Sequence, residues 1–222
     1  MSKNKKLLIL PGDGIGVEVM NEVKNIINWM EKNKSISFDI SERLVGGTAY
    51  DEEGDSISDN TMDEALNSDA ILFGAVGGSK WDNVEREKRP EAALLRLRKE
   101  LDLFANLRPA IVFDALSESS SLKNELVKGL DILILRELTS GVYFGKPRGI
   151  ESINIHEKKA VDTQSYTTTE IERIARVGFE FAKKRSNRIT SVEKANVMET
   201  GILWRKTVSD LHQKEYQDVE LS

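Results

Sequence analysis

The chain of 222 residues contains no cysteine, which removes disulfide frameworks, thiolate nucleophiles, iron–sulfur clusters and Cys-type zinc sites from consideration. Histidine is nearly as scarce. Only His156 and His212 occur, in no metal-ligand spacing, so any metal would have to be held by oxygen. Long apolar runs are missing too. The start, MSKNKKLLIL, is basic, but its apolar stretch Leu7 to Leu10 stops at Pro11 and Gly12, too soon for a signal-peptide core or a membrane span. Nor is there an excess of positive charge: 32 Lys+Arg stand against 37 Asp+Glu, a formal net charge of -5, which argues against a nucleic-acid partner. With 39% hydrophobic and 31% charged residues, four prolines and no repeat or low-complexity linker, the expectation is a cytoplasmic globular protein without membrane or nucleic-acid partners.

What is present alternates. Leu7 to Leu10 reads as a strand buried on both faces, and Val17, Met20, Val23, Ile27 and Met30 recur as the apolar stripe of a helix. Ile36 to Ile40 reads as a strand, Thr61 to Asn67 as a short helix, and Ala70 to Val76 as a second buried strand ending at Gly77 and Gly78. Strand, helix, strand is the rhythm of an α/β protein with a largely parallel sheet. A helix follows from Pro90 to Leu101. Pro109 then reads as the end of a turn before a strand Ala110 to Phe113, a helix-like stretch covers Leu122 to Val127, and Asp131 to Leu135 reads as a buried strand. Between Ser140 and Thr169 the texture becomes Gly-, Ser- and Thr-rich, which suggests short antiparallel strands or an extended arm. Finally Ile171, Ile174, Ala175, Gly178, Phe181 and Ala182 line one face of a helix. The expected division is a first α/β domain over residues 1–103 and a second over 104–222, both incomplete.

Gly12, Gly14 and Gly16 lie between a strand and a helix, where backbone N–H groups can meet an anion. The dinucleotide fingerprint needs a glycine where Val17 stands, so a Rossmann turn is excluded, and the glycines and Asp13 read equally as turn-formers. The arginines say more. Arg98 sits late in an amphipathic helix, Arg108 precedes Pro109, and Arg136 caps the strand DILIL. A planar guanidinium matches a carboxylate bidentately, with charge-assisted bonds of roughly 1.5–3 kcal/mol each. Singly, each reads as a surface arginine paired with Asp or Glu. Together they would suit a substrate with more than one carboxylate. Tyr143, in GVYFG, and Lys194, in EKANVMETG and read as lying at a strand end, could move protons; alone, each reads as packing or as a solvated lysine.

LPGDGIG at Leu10, FGAVGGSKWD at Phe73, LRKELDLFANLRP at Leu97, RELTSGVYFG at Arg136 and EKANVMETGILWR at Glu193, in this order, resemble the β-decarboxylating dehydrogenases of the isocitrate/isopropylmalate type. The resemblance is strongest to the isopropylmalate branch, which serves leucine biosynthesis. It implies a two-domain α/β/α fold that is not a Rossmann fold, and a homodimer whose active site is shared between subunits. It also implies NAD-dependent oxidation of the 2-hydroxyl of 3-isopropylmalate and loss of carbon dioxide to give 2-oxoisocaproate, with Mg2+ or Mn2+. By resemblance, Arg98, Arg108 and Arg136 hold the malate carboxylates, Tyr143 supplies the proton in the decarboxylation half, and Lys194 of the partner takes the hydroxyl proton. Glu91 and Leu94, with Leu95, resemble the isopropyl-recognising version of the helix at Pro90. Ile15, Gly77, Gly78, Glu91 and Asn196 match positions near the nicotinamide.

In that family a proline is usual where Val17 stands, a change that costs only some rigidity at a helix start. The family's metal-binding aspartates, the loop gripping the NAD adenosine and the closing strands of the first domain come after the position matched by Ser222. The expectation is therefore an N-terminal fragment, inactive by itself. The alternatives are a homoisocitrate- or tartrate-type relative, a non-catalytic dicarboxylate-binding subunit, and a plain helical dimerisation module built on Ile171 to Arg185.

Overall fold

In the computed structural model, which describes residues 4–34 and 36–222, the first apolar run becomes the middle strand of a parallel sheet. The basic start at Lys3 lies outside the described residues. Strand β1 (Lys5–Gly12) is flanked by β2 (Phe38–Glu42) and β3 (Ala70–Ala75), both parallel to it, with Leu7 opposite Ile40 and Ala70. The pleat sends successive side chains to opposite faces, and both faces are covered. Leu8 and Leu10 join Val45, Ile57, Met62, Ala65, Ala93 and Leu97 on one side, while Leu7 and Ile9 meet Met20 and Ile27 on the other. That second side belongs to α1 (Ile15–Lys34), whose turn from β1 is very tight: a Cβ on Gly12 would lie 1.9 Å from the Ala75 carbonyl oxygen. The remaining helices are α2 (Gly47–Glu53), α3 (Asp59–Leu66), capped by Ser58, and α4 (Pro90–Glu100), with proline in its first turn where no N–H is needed. The sequence carries no signal for α2, because two turns are too short to display a stripe.

The chain divides into two compact units, Met1–Asp102 and Leu103–Ser222. The second is built differently. Strands β4 (Ala105–Ile111) and β5 (Asp131–Glu137) form an antiparallel ribbon, with Asn106 opposite Arg136 and Pro109 opposite Leu133. Pro109 thus lies inside a strand and not at the end of a turn; β4 has one strand neighbour, and an edge tolerates a residue that cannot donate. A short helix, α5 (Asn124–Val127), lies between them. The Gly- and Thr-rich stretch forms the antiparallel arm β6 (Gly149–Ser152) and β7 (Lys158–Val161).

Helix α6 (Thr168–Lys183) starts at a capping box in which the Thr167 hydroxyl and Glu170 carboxylate satisfy each other's backbone donors. It packs on β5 and on α7 (Glu199–Glu215). The core here is Ile171, Ala175, Phe179, Ala182, Val208, Leu211, Tyr216 and Val219. Phe179, not Phe181, carries the apolar stripe: at 100° per residue position 179 follows 171 and 175, and its ring stacks on Tyr216 at 4.7 Å between centroids. A two-stranded parallel pair, β8 (Arg188–Ile189) and β9 (Glu220–Leu221), completes the unit. None of the described helices is long and apolar enough to cross a membrane.

Candidate functional site

Each unit gathers its own share of the residues singled out in the sequence. In the first, the β1–α1 turn and the segment leaving β3 lie side by side, and one carboxylate joins them. Asp13 is buried, and it accepts from Gly47 N and Thr48 N at 2.8 Å, Thr48 Oγ1 at 2.9 Å and Gly77 N at 2.9 Å. It is far more than a turn-former. Ile15, two residues on, is 67% exposed at the head of α1. Gly77 holds φ at +111°, in the region that favours glycine, and a Cβ there would meet Glu91 Oε1 at 3.1 Å. Gly78 is exposed beside it.

Helix α4 presents two stripes. Pro90, Ala93 and Leu97 are buried, whereas the exposed Glu91 is followed three and four residues on by the half-buried Leu94 and Leu95, and these are followed four and three residues on by the half-buried Arg98, on a neighbouring face. Leu94 and Leu95 are absent from the packed core around Leu97. Two adjacent leucines without core duty, between a carboxylate and a guanidinium, form an amphipathic surface suited to a small ligand with one apolar branch.

In the second unit the ribbon β4–β5 decides the geometry. Alternation along β4 puts Asn106 and Arg108 on one face, and Arg136, paired with Asn106, shares it. Diagonal neighbours of this kind lie about 7–8 Å apart. Arg108 Nε donates to Asn106 Oδ1 at 2.5 Å, and the Arg136 guanidinium lies 5.3 Å from the Tyr143 ring centroid. Neither Arg108 nor Arg136 has a salt bridge among the described residues. Two like charges held on one face without a carboxylate form a receptor for an anion.

Behind them sits a residue that sequence reasoning missed. Glu137 turns to the other face of β5, where its side chain is 1% exposed. It accepts from Leu138 N, Thr139 N, Thr139 Oγ1, Ser140 Oγ and Arg173 Nη2 at 2.8–3.2 Å. This fixes the turn that leads from Arg136 to Tyr143. The signal was legible in RELTS, an acid followed within three positions by two hydroxyls. Gly141 N donates to Ser165 O, a Cβ on Gly141 would strike the Tyr166 hydroxyl at 2.4 Å, and Arg148 donates to the Tyr143 carbonyl.

Burial pushes the Tyr166 phenol above its ordinary value, the Glu137 charge pushes the same way, and Arg136 opposes them. Between the ordinary phenol value near 10 and the raised one, the unfolded chain has lost this proton and the folded one keeps it. Stability is therefore expected to fall as pH rises through that window. Phenolate absorbance should show one of the four tyrosines titrating late, and Tyr166→Phe should abolish that step; an unchanged titration would refute the assignment.

Lys194 and Asn196 are exposed in the loop between β8 and α7, so Lys194 is not at a strand end. The loop is well held. Glu193 is paired with Arg205 at 2.6 Å, and Gly201 lets the Lys194 backbone lie against α7, since a Cβ would come within 2.5 Å of it. Lys194 itself makes no hydrogen bond or ring contact to Arg108, Arg136 or Tyr143 among the described residues. No group of three or more acidic or histidine side chains that could hold a metal occurs among the described residues.

The family model described as isocitrate/isopropylmalate dehydrogenase matches residues 6–222. The chain is 59% identical over 220 residues to the 3-isopropylmalate dehydrogenase of Pelagibacter ubique, covering 99% of this chain and 60% of that protein. It is 60% identical over 216 residues to that of Nitrobacter winogradskyi, covering 97% and 58%. Among solved structures, the isocitrate dehydrogenase of Methylococcus capsulatus superposes with a TM-score of 0.80 at 25% identity, over 98% of this chain and 59% of the other. The chain thus spans about 60% of the length of the curated relatives it matches. With a parallel β2-β1-β3 sheet, paired arginines on β4–β5 and a family model matching from residue 6 to residue 222, the chain belongs to the isocitrate/isopropylmalate dehydrogenase family.

Proposed function

We propose that this chain carries the substrate-recognising part of an NAD-dependent 3-isopropylmalate dehydrogenase of leucine biosynthesis, a homodimer working in the cytoplasm. The observation that carries the reading is the pair Arg108 and Arg136 on one face of β4–β5, without a carboxylate partner among the described residues and with the Tyr143 ring against Arg136. These guanidinium groups, with Arg98, bind the two carboxylates of a malate. Tyr143 gives its phenolic proton to the carbon left when carbon dioxide departs, and the partner's copy of Lys194 takes the proton of the 2-hydroxyl. Leu94 and Leu95 accept the isopropyl branch. Ile15, Gly77, Gly78, Glu91 and Asn196 line the nicotinamide end, a fit supported by the bare glycine backbone at the carboxyl end of β3 beside the Glu91 carboxylate. When bound, NAD supplies the hydride acceptor, and Mg2+ or Mn2+ polarises the new carbonyl.

Joined to the remainder of the Pelagibacter ubique relative that it does not match, the chain is expected to form NADH from 3-isopropylmalate. Isocitrate should react roughly 10- to 200-fold or more slowly, because a third carboxylate would be set against Leu94 and Leu95. Faster turnover of isocitrate would overturn the substrate assignment, and a chimera that folds yet reduces no NAD with either acid would overturn the reaction class.

A further inference from the structure

We propose that Asp13 is a positioning residue for the nicotinamide end of the dinucleotide, holding the Ile15 turn and the Gly77–Gly78 segment in one register. The inference rests on the cofactor reading above and adds to it a residue that touches no ligand. Two segments distant in sequence, Gly47–Thr48 and Gly77, end on this single buried carboxylate. Oδ2 accepts from both Gly47 N and Gly77 N, so one oxygen bridges the start of α2 and the segment leaving β3. Oδ1 takes both donors of Thr48, and the Asp13 N–H itself donates to Ala75 O at 2.6 Å. Asp13 is 3% exposed, and a Cβ on Gly46 would come within 2.4 Å of Oδ2. The carboxylate therefore has no room to swing away.

The segment after β3 is fastened again a few residues on. The Trp81 indole lies flat on Gly47, within 2.2–2.4 Å of where a Cβ would stand, and its Nε1 donates to Asp51 at 3.2 Å. Asp51 also accepts from Lys80 Nζ at 2.6 Å. Gly77 and Gly78 are thus stretched between two ties, one to Asp13 and one to α2, with the Glu91 carboxylate 3.1 Å from where a Cβ on Gly77 would stand and the Trp81 ring 3.1 Å from where one on Gly78 would. Glycine backbone so suspended has no intrinsic preference for one conformation. Its pose is set by the acceptor at Asp13. A cofactor ring resting on that backbone and on Ile15 would therefore feel the loss of Asp13, and a preorganised segment loses affinity when the tie is cut.

The test is a titration with NAD+ of the chimera described above, followed through the amide signals of Gly77 and Gly78 and the carboxyl carbon of Asp13. All three should move with one dissociation constant. Asp13→Ala should raise that constant at least tenfold. Asp13→Asn should recover part of the loss, with a constant between those of the native and alanine forms, because the amide oxygen can keep the Gly47–Gly77 corner while its NH2 faces the Thr48 hydroxyl, which can rotate to accept, and the Thr48 N–H, which cannot. Thr48→Val, which loses a donor to Asp13 but leaves the Gly77 tie, should lose stability and keep the native constant within threefold. The role is overturned if Asp13→Ala binds within threefold of native, or if Thr48→Val loses as much affinity as Asp13→Ala. Should Asp13→Ala not fold, an unsubstituted chimera in which Gly77 shifts while the Asp13 carboxyl stays still overturns it equally. No shift anywhere in the unsubstituted chimera overturns the cofactor reading and this inference with it, whereas the other failures leave the cofactor reading standing.

Discussion

Glu137→Ala is expected to destabilise the second unit by about 3–5 kcal/mol, the range for removing one member of a buried, hydrogen-bonded charge network. The carboxylate is 1% exposed and accepts from five donors, four of them within the next three residues. Alanine would leave the Leu138 and Thr139 amides and the Thr139 and Ser140 hydroxyls without their acceptor, the Leu138 amide in a buried place and the others in a partly buried one. Each orphaned donor costs roughly 1–3 kcal/mol before relaxation. Relaxation brings the sum down to the stated range, since the turn can open toward solvent. Glu137→Gln keeps the shape and one acceptor oxygen, and should cost about half as much. Urea unfolding followed by Trp204 fluorescence reports on this unit, because the two other tryptophans, Trp29 and Trp81, lie in the first. A loss below about 1 kcal/mol for the alanine variant would mean that Glu137 is not the organiser of the turn.

The second large effect concerns chemistry. In the chimera completed with the Pelagibacter ubique relative, Tyr143→Phe should lower kcat by about 10²–10⁴, the usual worth of a positioned general acid. It should leave KM for isopropylmalate within about threefold, because the ring that stacks near Arg136 is retained and only the phenolic oxygen is lost. Arg136→Lys is the informative contrast. It keeps the charge but loses the planar fork and the contact with Tyr143, so KM should rise along with any fall in kcat. If Tyr143→Phe turned over within tenfold of native, the proton would have to come from another group.

Much of this was readable in the residues. The apolar runs Leu7 to Leu10 and Ala70 to Val76 announced parallel strands, but only the first is buried on both faces; β3, at the edge of the sheet, is exposed at Ala70 and half-buried beyond it. The stripe of α1 and the arm between Ser140 and Thr169 were likewise local signals. Ordered short motifs spread over the whole chain carried the family, and the family model agrees from residue 6 onward. Less legible were elements too short for a period, such as α2, and positions where two phases compete, as with Phe179 and Phe181. Pro109 misled because a proline reads as a turn unless the strand is known to lie at an edge.

Sequence alone determined that guanidinium, phenol, amine and glycine chemistry, local to each residue, is present, and through the family resemblance it raised the expectation that these residues meet a dicarboxylate and a nucleotide. Only tertiary structure decided that Arg108 and Arg136 share a face without carboxylate partners among the described residues, and that Leu94 and Leu95 are left out of the core while Leu97 enters it. It also decided that Asp13 and Glu137 are buried hubs. Whether a carboxylate is a solvated surface charge or the acceptor that holds a turn depends on how many donors from other segments reach it. Those donors are backbone N–H groups and common hydroxyls, present at nearly every position, so nothing in the order of residues marks which of them will converge.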